Sequence, residues 1–232
     1  MPEASAQVVQ MQQMTAEQVK AYYTKRAAYY PLIIKMLGYR LVIQALLADR
    51  DVLTSDMKVL DAGAGTGLMT RILYPLAREK GLSNIAFHAF DLTQAMLDVL
   101  RGWIRAEGAE DVISTRIQNV LQLETLPETW NNYDLIVSSG MLEYIPPDSL
   151  HKVLAGLIDR LKPGGKLICV FSGRTIPMRI FVGWMQRCNL YTKSELDVII
   201  AKAGATDVRH LPFPRPYQAT DGQLLAVEIT RP

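Results

Sequence analysis

Two carboxylates and three glycines are the residues of this chain best spaced to hold a ligand. Asp61 ends an apolar run, and Gly63, Gly65 and Gly67 follow it at every second position. Glycine lacks a Cβ, so the backbone can turn tightly there and a ligand can approach closely. The N–H groups and positive end of a following helix would face that ligand. The spacing is Gly-x-Gly-x-Gly, with Leu68 at the third glycine position of a dinucleotide fingerprint. A carboxylate at Asp61 would repel a pyrophosphate and suit a cationic or amine-bearing ligand. Asp91 closes the next apolar run, where an acid can accept hydrogen bonds from both hydroxyls of a ribose. Two plainer readings stay open. The glycines could simply connect a strand to a helix, and Asp91 could simply cap one.

The pattern along the chain supplies elements to position these residues. Residues 1–14 are polar and Gln-rich and read as a tail. Thr15 with Gln18 three residues on resembles a capping box, opening a helix that runs towards Tyr30 and stops at Pro31. A second helix is expected over 32–48. Beyond Asp56 short apolar runs alternate with helical patterns. Strands are expected at 57–61, 85–90, 112–118, 133–138 and 166–171, then near 207–212 and 224–230. Helices are expected at 68–80, 93–107, 149–161 and 194–203. This alternation implies a Rossmann-like α/β fold, a mostly parallel sheet with helices on both faces, with the glycine turn at the carboxyl ends of its strands.

Composition bounds the rest. With 232 residues, 49% hydrophobic and 21% charged, the chain suits one globular domain, taken here as 15–232. A net charge of +2 gives no argument for nucleic acid, and no basic stripe with interleaved aromatics is present. Cys169 and Cys188 have neither metal-ligand spacing nor a disulfide framework, so no metal is expected. No signal-peptide pattern is visible, and a reducing, cytoplasmic setting is expected. The apolar stretch 31–48 is interrupted by Lys35 and Arg40, which argues against a membrane span. It leaves a helix lying on a surface, or one packed on its own domain.

The string Val59-Leu60-Asp61-Ala62-Gly63-Ala64-Gly65-Thr66-Gly67 resembles the first motif of class I S-adenosylmethionine (SAM)-dependent methyltransferases, of the small-molecule type. Asp91-Leu92-Thr93-Gln94-Ala95-Met96-Leu97 resembles the family's second-strand segment, and Tyr133–Gly140 its fourth strand. The likeness covers about 58–205. It implies a seven-stranded sheet with the last strand antiparallel, SAM as cofactor and S-adenosylhomocysteine (SAH) as product. It further implies that Asp61, Ala62, Gly63, Gly65 and Gly67 hold SAM, that Asp91 binds its ribose, and that Leu92 and Met96 flank the adenine. Asn119 stands where the family often has an acid facing the adenine amino group, with the Val120 N–H beside it. Ser138 would line the methionine side. Tyr22, on a first helix rich in tyrosine, would close over the sulfonium. Segment 15–50 would form cap helices and segment 174–192 an acceptor-side lid.

Methyl transfer from a sulfonium is an in-line displacement that needs positioning and shielding from water more than covalent catalysis. An oxygen or carbon acceptor also needs a base, for which Glu143 is the first candidate, with Tyr144 and His151 behind it. His88 and His210 are read as structural. The expected acceptor is a small, hydrophobic metabolite, modified at O, N or C. The alternative is a methyltransferase-like protein that binds SAM without transferring methyl, as a regulatory subunit or a non-methylating catalyst.

Overall fold

The computed structural model describes residues 14–48, 50–180 and 188–232. Seven strands form one sheet in the order β3-β2-β1-β4-β5-β7-β6. They are β1 (Lys58–Ala62), β2 (Ala86–Asp91), β3 (Ile113–Ile117), β4 (Tyr133–Ser139), β5 (Leu161–Ser172), β6 (Asp207–Leu211) and β7 (Leu224–Thr230). β7 is antiparallel to β5 and β6, and the remaining pairs are parallel. The expected fold and its reversed last strand are present. β5 begins earlier than expected and takes in the turn at Lys162–Gly165, since the chain end pairs there through Arg231 N–H to Gly165 O at 2.9 Å.

Strand alternation divides the core. Val59, Phe87, Leu135, Val137, Ile168 and Val170 face one apolar layer. Their neighbours Leu60, Phe90, Ile136, Leu167, Cys169 and Phe171 face the other. The first layer is covered by α3 (Tyr39–Ala48), α4 (Thr70–Glu79) and α5 (Gln94–Glu107). The second is covered by α6 (Pro147–Ile158) and α7 (Lys193–Lys202). A strand buried on both faces needs apolar residues at both parities, hence the unbroken apolar runs.

The N-terminal helices differ from expectation in two places. The capping box at Thr15 is present and opens α1 (Ala16–Thr24). Pro31, read as a stop, instead sits in the first turn of α2 (Tyr30–Met36), where its missing N–H costs nothing. The single helix expected over 32–48 is broken between α2 and α3, which bend by 73°. Gly38 stands at the break with φ +66°. No single helix among the described residues is long and apolar enough to cross a membrane.

Candidate active site

The strand order reverses between β1 and β4, because β1 is followed in sequence by β2 on one side and flanked by β4 on the other. Crevices open at the carboxyl ends of strands at such points. The glycine turn, Asp91, the end of β4 and the three N-terminal helices meet there.

The glycines divide into two jobs. A Cβ on Gly63 would lie 2.3 Å from Met141 Cγ, and one on Gly67 would lie 2.3 Å from Leu100 Cδ1. These two are required by packing. A Cβ on Gly65 would meet only Met96 Cε, at 3.5 Å, so its approach side is open to a ligand. The turn's own N–H groups are largely consumed within the protein. Gly63 and Ala64 N–H both donate to Phe90 O, and Gly67 N–H to Ala64 O. Gly65 N–H donates to Asp91 Oδ2 at 2.8 Å. A turn with its donors turned inward is a poor pyrophosphate cradle.

Asp91 Oδ1 accepts from Thr93 N–H at 2.8 Å. Backbone N–H groups of the glycine turn and of the segment after β2 thus both hold this carboxylate. Burial raises the Asp91 pKa, and the backbone bonds oppose that rise. The group is fixed at the strand end beside the open side of Gly65, as a ribose-binding acid requires. Asp61 is buried, and its Oδ2 accepts from Thr70 N–H at 3.0 Å and Thr70 Oγ1 at 2.7 Å. It thus caps α4, a contribution of about 1 kcal/mol. Burial lifts its pKa to about 6.

Other expected cofactor contacts are redirected. Ser138 is fully buried, and its hydroxyl donates to Ala62 O at 2.9 Å. The pair ties β4 to β1 instead of lining a pocket, because Ser138 falls on the wrong parity of the strand. Ser139 is on the open parity, and its hydroxyl lies 2.7 Å from that of Tyr39. Asn119 Oδ1 accepts from Leu121 N–H at 3.0 Å and caps a 3-10 turn that begins at the buried Val120. Leu92 is half-buried between Asp91 and α5. Met96 packs with Tyr23 and Ala27, joining α1 to α5 above the turn. The Tyr22 ring carries the Arg26 guanidinium, 3.6 Å from its centroid, so that face is occupied by a cation already.

Glu143 is the most unusual group. It is 2% exposed in a 3-10 turn (Leu142–Tyr144) after β4. Its Oε1 accepts from Ser172 N–H at 2.9 Å and lies 3.1 Å from Ser172 Oγ. Its Oε2 is buried with no hydrogen-bond partner among the described residues. Burial pushes its pKa up to about 7. Its charge acts on Tyr30, Tyr39, Tyr144 and Cys188, which come from three separate segments. The Tyr144 hydroxyl lies 2.8 Å from that of Tyr23, so Tyr144 joins the cap to this group. Tyr144 also packs on the small cluster of Cys188 and Leu190, as does Met178. His151 is not brought here. It lies on α6 with Lys202, Lys152 and Asp148 as its charged neighbours. Tyr39 belongs to the site but carried no sequence signal, since it sits in an apolar helical run.

Of the expected lid, residues 181–187, with Phe181, Val182, Trp184, Met185 and Arg187, lie outside the described residues. Arg174, at the start of the lid segment, pairs with Glu195 at 2.7 Å. His88 stacks on Trp130 and lies 2.8 Å from the Tyr133 hydroxyl, and His210 pairs with Asp197 at 2.6 Å. Both are structural, as expected.

This sheet order, with a glycine turn after the first strand and an acid closing the second, defines the class I methyltransferase fold. Comparison with known proteins points the same way. Residues 59–165 match the family model described as a methyltransferase domain. A ubiquinone/menaquinone biosynthesis C-methyltransferase from Wigglesworthia glossinidia brevipalpis is 33% identical over 118 residues, covering 49% of this chain and 42% of that protein. The chain thus matches less than half the length of that relative. The magnesium protoporphyrin IX methyltransferase of Synechocystis PCC 6803, with bound SAH, superposes with a TM-score of 0.62 at 17% identity, over 91% of this chain and 94% of that one. The [4+2]-cyclase SpnF superposes with a TM-score of 0.66 at 16% identity, over 94% and 96%. Residues 59–165 are thus similar to a methyltransferase domain, and the chain shares the fold of class I SAM-dependent methyltransferases.

Proposed function

We propose that this protein transfers a methyl group from SAM to an O, N or C atom of a small, apolar metabolite, with Glu143 as the base. The observation that carries the reading is the buried Glu143 carboxylate, whose Oε2 has no partner among the described residues and whose pKa is raised to about 7. An unpartnered buried oxygen is costly unless something else binds it. An acceptor hydroxyl or acidic C–H is such a partner.

SAM, when bound, supplies an electrophilic methyl group on a sulfonium. The chain's own residues do the rest. Asp91 accepts hydrogen bonds from the ribose hydroxyls, and Gly65 lets the cofactor lie against the backbone. Asp61 keeps the turn in place through Thr70 and adds negative charge near a cationic cofactor. Tyr30, Tyr39 and Tyr144 lie near enough for the charge of Glu143 to act on them. Glu143 Oε2 takes the acceptor's proton as the acceptor becomes nucleophilic. Tyrosines near the base favour an aromatic or apolar acceptor over a nucleic acid. Two buried free thiols, Cys169 and Cys188, suit a reducing compartment such as the cytoplasm.

The test is titration calorimetry with SAM, SAH and NAD, followed by chromatography for SAH after incubation with candidate metabolites. Both adenosyl ligands should bind at about −8 kcal/mol, in the micromolar range, and NAD should not. Binding without SAH production from any acceptor would favour the non-transferring alternative, a role compatible with the likeness to a cyclase. No binding of either adenosyl ligand to folded protein would end the methyltransferase reading.

A further inference from the structure

Residues 18–48 contain five basic side chains, Lys20, Lys25, Arg26, Lys35 and Arg40, and no acidic one. The whole chain carries only +2, so the remainder is net negative. The same segment holds a run of exposed apolar side chains. Tyr29, Leu32, Met36, Leu37 and Leu41 are 46%, 59%, 79%, 47% and 56% exposed. Tyr29, Leu32 and Met36 follow helical spacing, as do Leu37 and Leu41. None of the residues of α2 is fully buried, whereas α3 seats Val42, Ile43, Leu46 and Leu47 in the core. The cap is thus anchored through α3 while α2 and the bend present apolar groups outward beside Lys35 and Arg40, both exposed.

We propose that the α2–α3 bend docks on an anionic lipid surface. An amphipathic segment with cations flanking an apolar face lies in the plane of a bilayer and gains from both. The 73° bend between two short helices suits lying in the interface and not crossing it. A protein partner would have to match an apolar stripe framed by cations only. A lipid surface with acidic headgroups has that chemistry everywhere, which is why it is the chosen occupant. Tyr39 on α3 reaches Ser139 at the end of β4, so the docking face belongs to helices that pack at the carboxyl end of the sheet.

Flotation of the full chain with lipid vesicles tests this. It should bind vesicles of mixed phosphatidylcholine and phosphatidylglycerol, bind phosphatidylcholine alone about tenfold more weakly, and be released by high salt. The combined substitution L32Q/M36Q/L41Q should weaken binding to mixed vesicles about tenfold or more while SAH binding persists. The charge variant K35E/R40E leaves the apolar face intact and should abolish the preference for acidic lipid, which decides the matter if the triple variant does not fold. Absence of flotation with mixed vesicles at low salt overturns the proposal, as does unchanged binding by K35E/R40E. So does light scattering that shows a dimer of this chain broken by L32Q/M36Q/L41Q, which would assign the face to a second copy.

Discussion

A glutamate only 2% exposed, with one oxygen unpartnered, should betray itself in two pH profiles. Burial raises its pKa from an ordinary value near 4.5 to about 7. The protonated form is therefore the one the fold prefers. Its stabilising contribution is complete below about pH 4.5 and is lost as pH rises through about 7. The loss amounts to roughly 3 kcal/mol. Glu143→Gln keeps an oxygen for Ser172 but cannot ionise. Melting curves across pH 5–9 should show the native protein losing stability relative to E143Q as pH rises. Parallel curves would mean that the carboxyl is not raised. Catalysis should run the other way, since a base must be unprotonated. In native protein kcat/KM should climb through about pH 7, and E143Q should lose 10²-fold or more. Retained activity in E143Q would remove Glu143 from the chemistry. The sequence offered Glu143, Tyr144 and His151 as one group. Spacing alone could not show that the 3-10 turn buries Glu143 and leaves Tyr144 half-buried beside it, while α6 carries His151 away.

Among elements, the glycine turn was the most legible, because its chemistry is local. Strand and helix order, the reversed last strand and the acid on β2 were legible for the same reason. Failures came where tertiary packing decided between local options. Pro31 could end one helix or begin another, and the chain uses it to begin α2. Ser138 and Ser139 differ only in strand parity, and the register placed Ser138 against Ala62. Within the turn, the two kinds of glycine should separate by mutation. Gly65 has φ +55° and Gly67 has φ +88°, so alanine at either position costs about 1 kcal/mol from the backbone alone. Gly67→Ala also drives a Cβ into Leu100 and should cost about 1–3 kcal/mol more. Its melting temperature should fall by several degrees beyond that of Gly65→Ala. Gly65→Ala should instead lose SAM affinity about tenfold or more, because its Cβ points into the open approach side. Equal melting temperatures with equal SAM affinity would erase the distinction drawn between packing glycine and ligand glycine.

At the scale of the whole molecule, the cap and the sheet are unequal partners. The two large apolar layers hold the sheet and its covering helices. Of the cap, α3 joins the first of these layers, whereas α1 rests on a small separate group formed by Tyr23, Ala27 and Met96. The Tyr23–Tyr144 hydroxyl pair ties α1 to the turn after β4, and the Tyr39–Ser139 pair ties α3 to the end of β4. Part-buried hydroxyl pairs of this kind contribute about 1 kcal/mol each, so α1 should open far more often than β1 or β4. If the cofactor lies between α1 and the glycine turn, opening α1 releases it, and binding must oppose that opening. At SAH concentrations 100 times its Kd the opening free energy of α1 should rise by about 2.7 kcal/mol. Hydrogen exchange followed by mass spectrometry should then show α1 amides slowing by about 100-fold. Amides that exchange by local fraying at the β6 edge do not involve the ligand and should not change. Unchanged exchange in α1 at saturating SAH would mean that the tyrosine helix packs beside the cofactor without enclosing it. Slowing in α1 would make the opening of this helix the step that admits SAM and lets SAH leave.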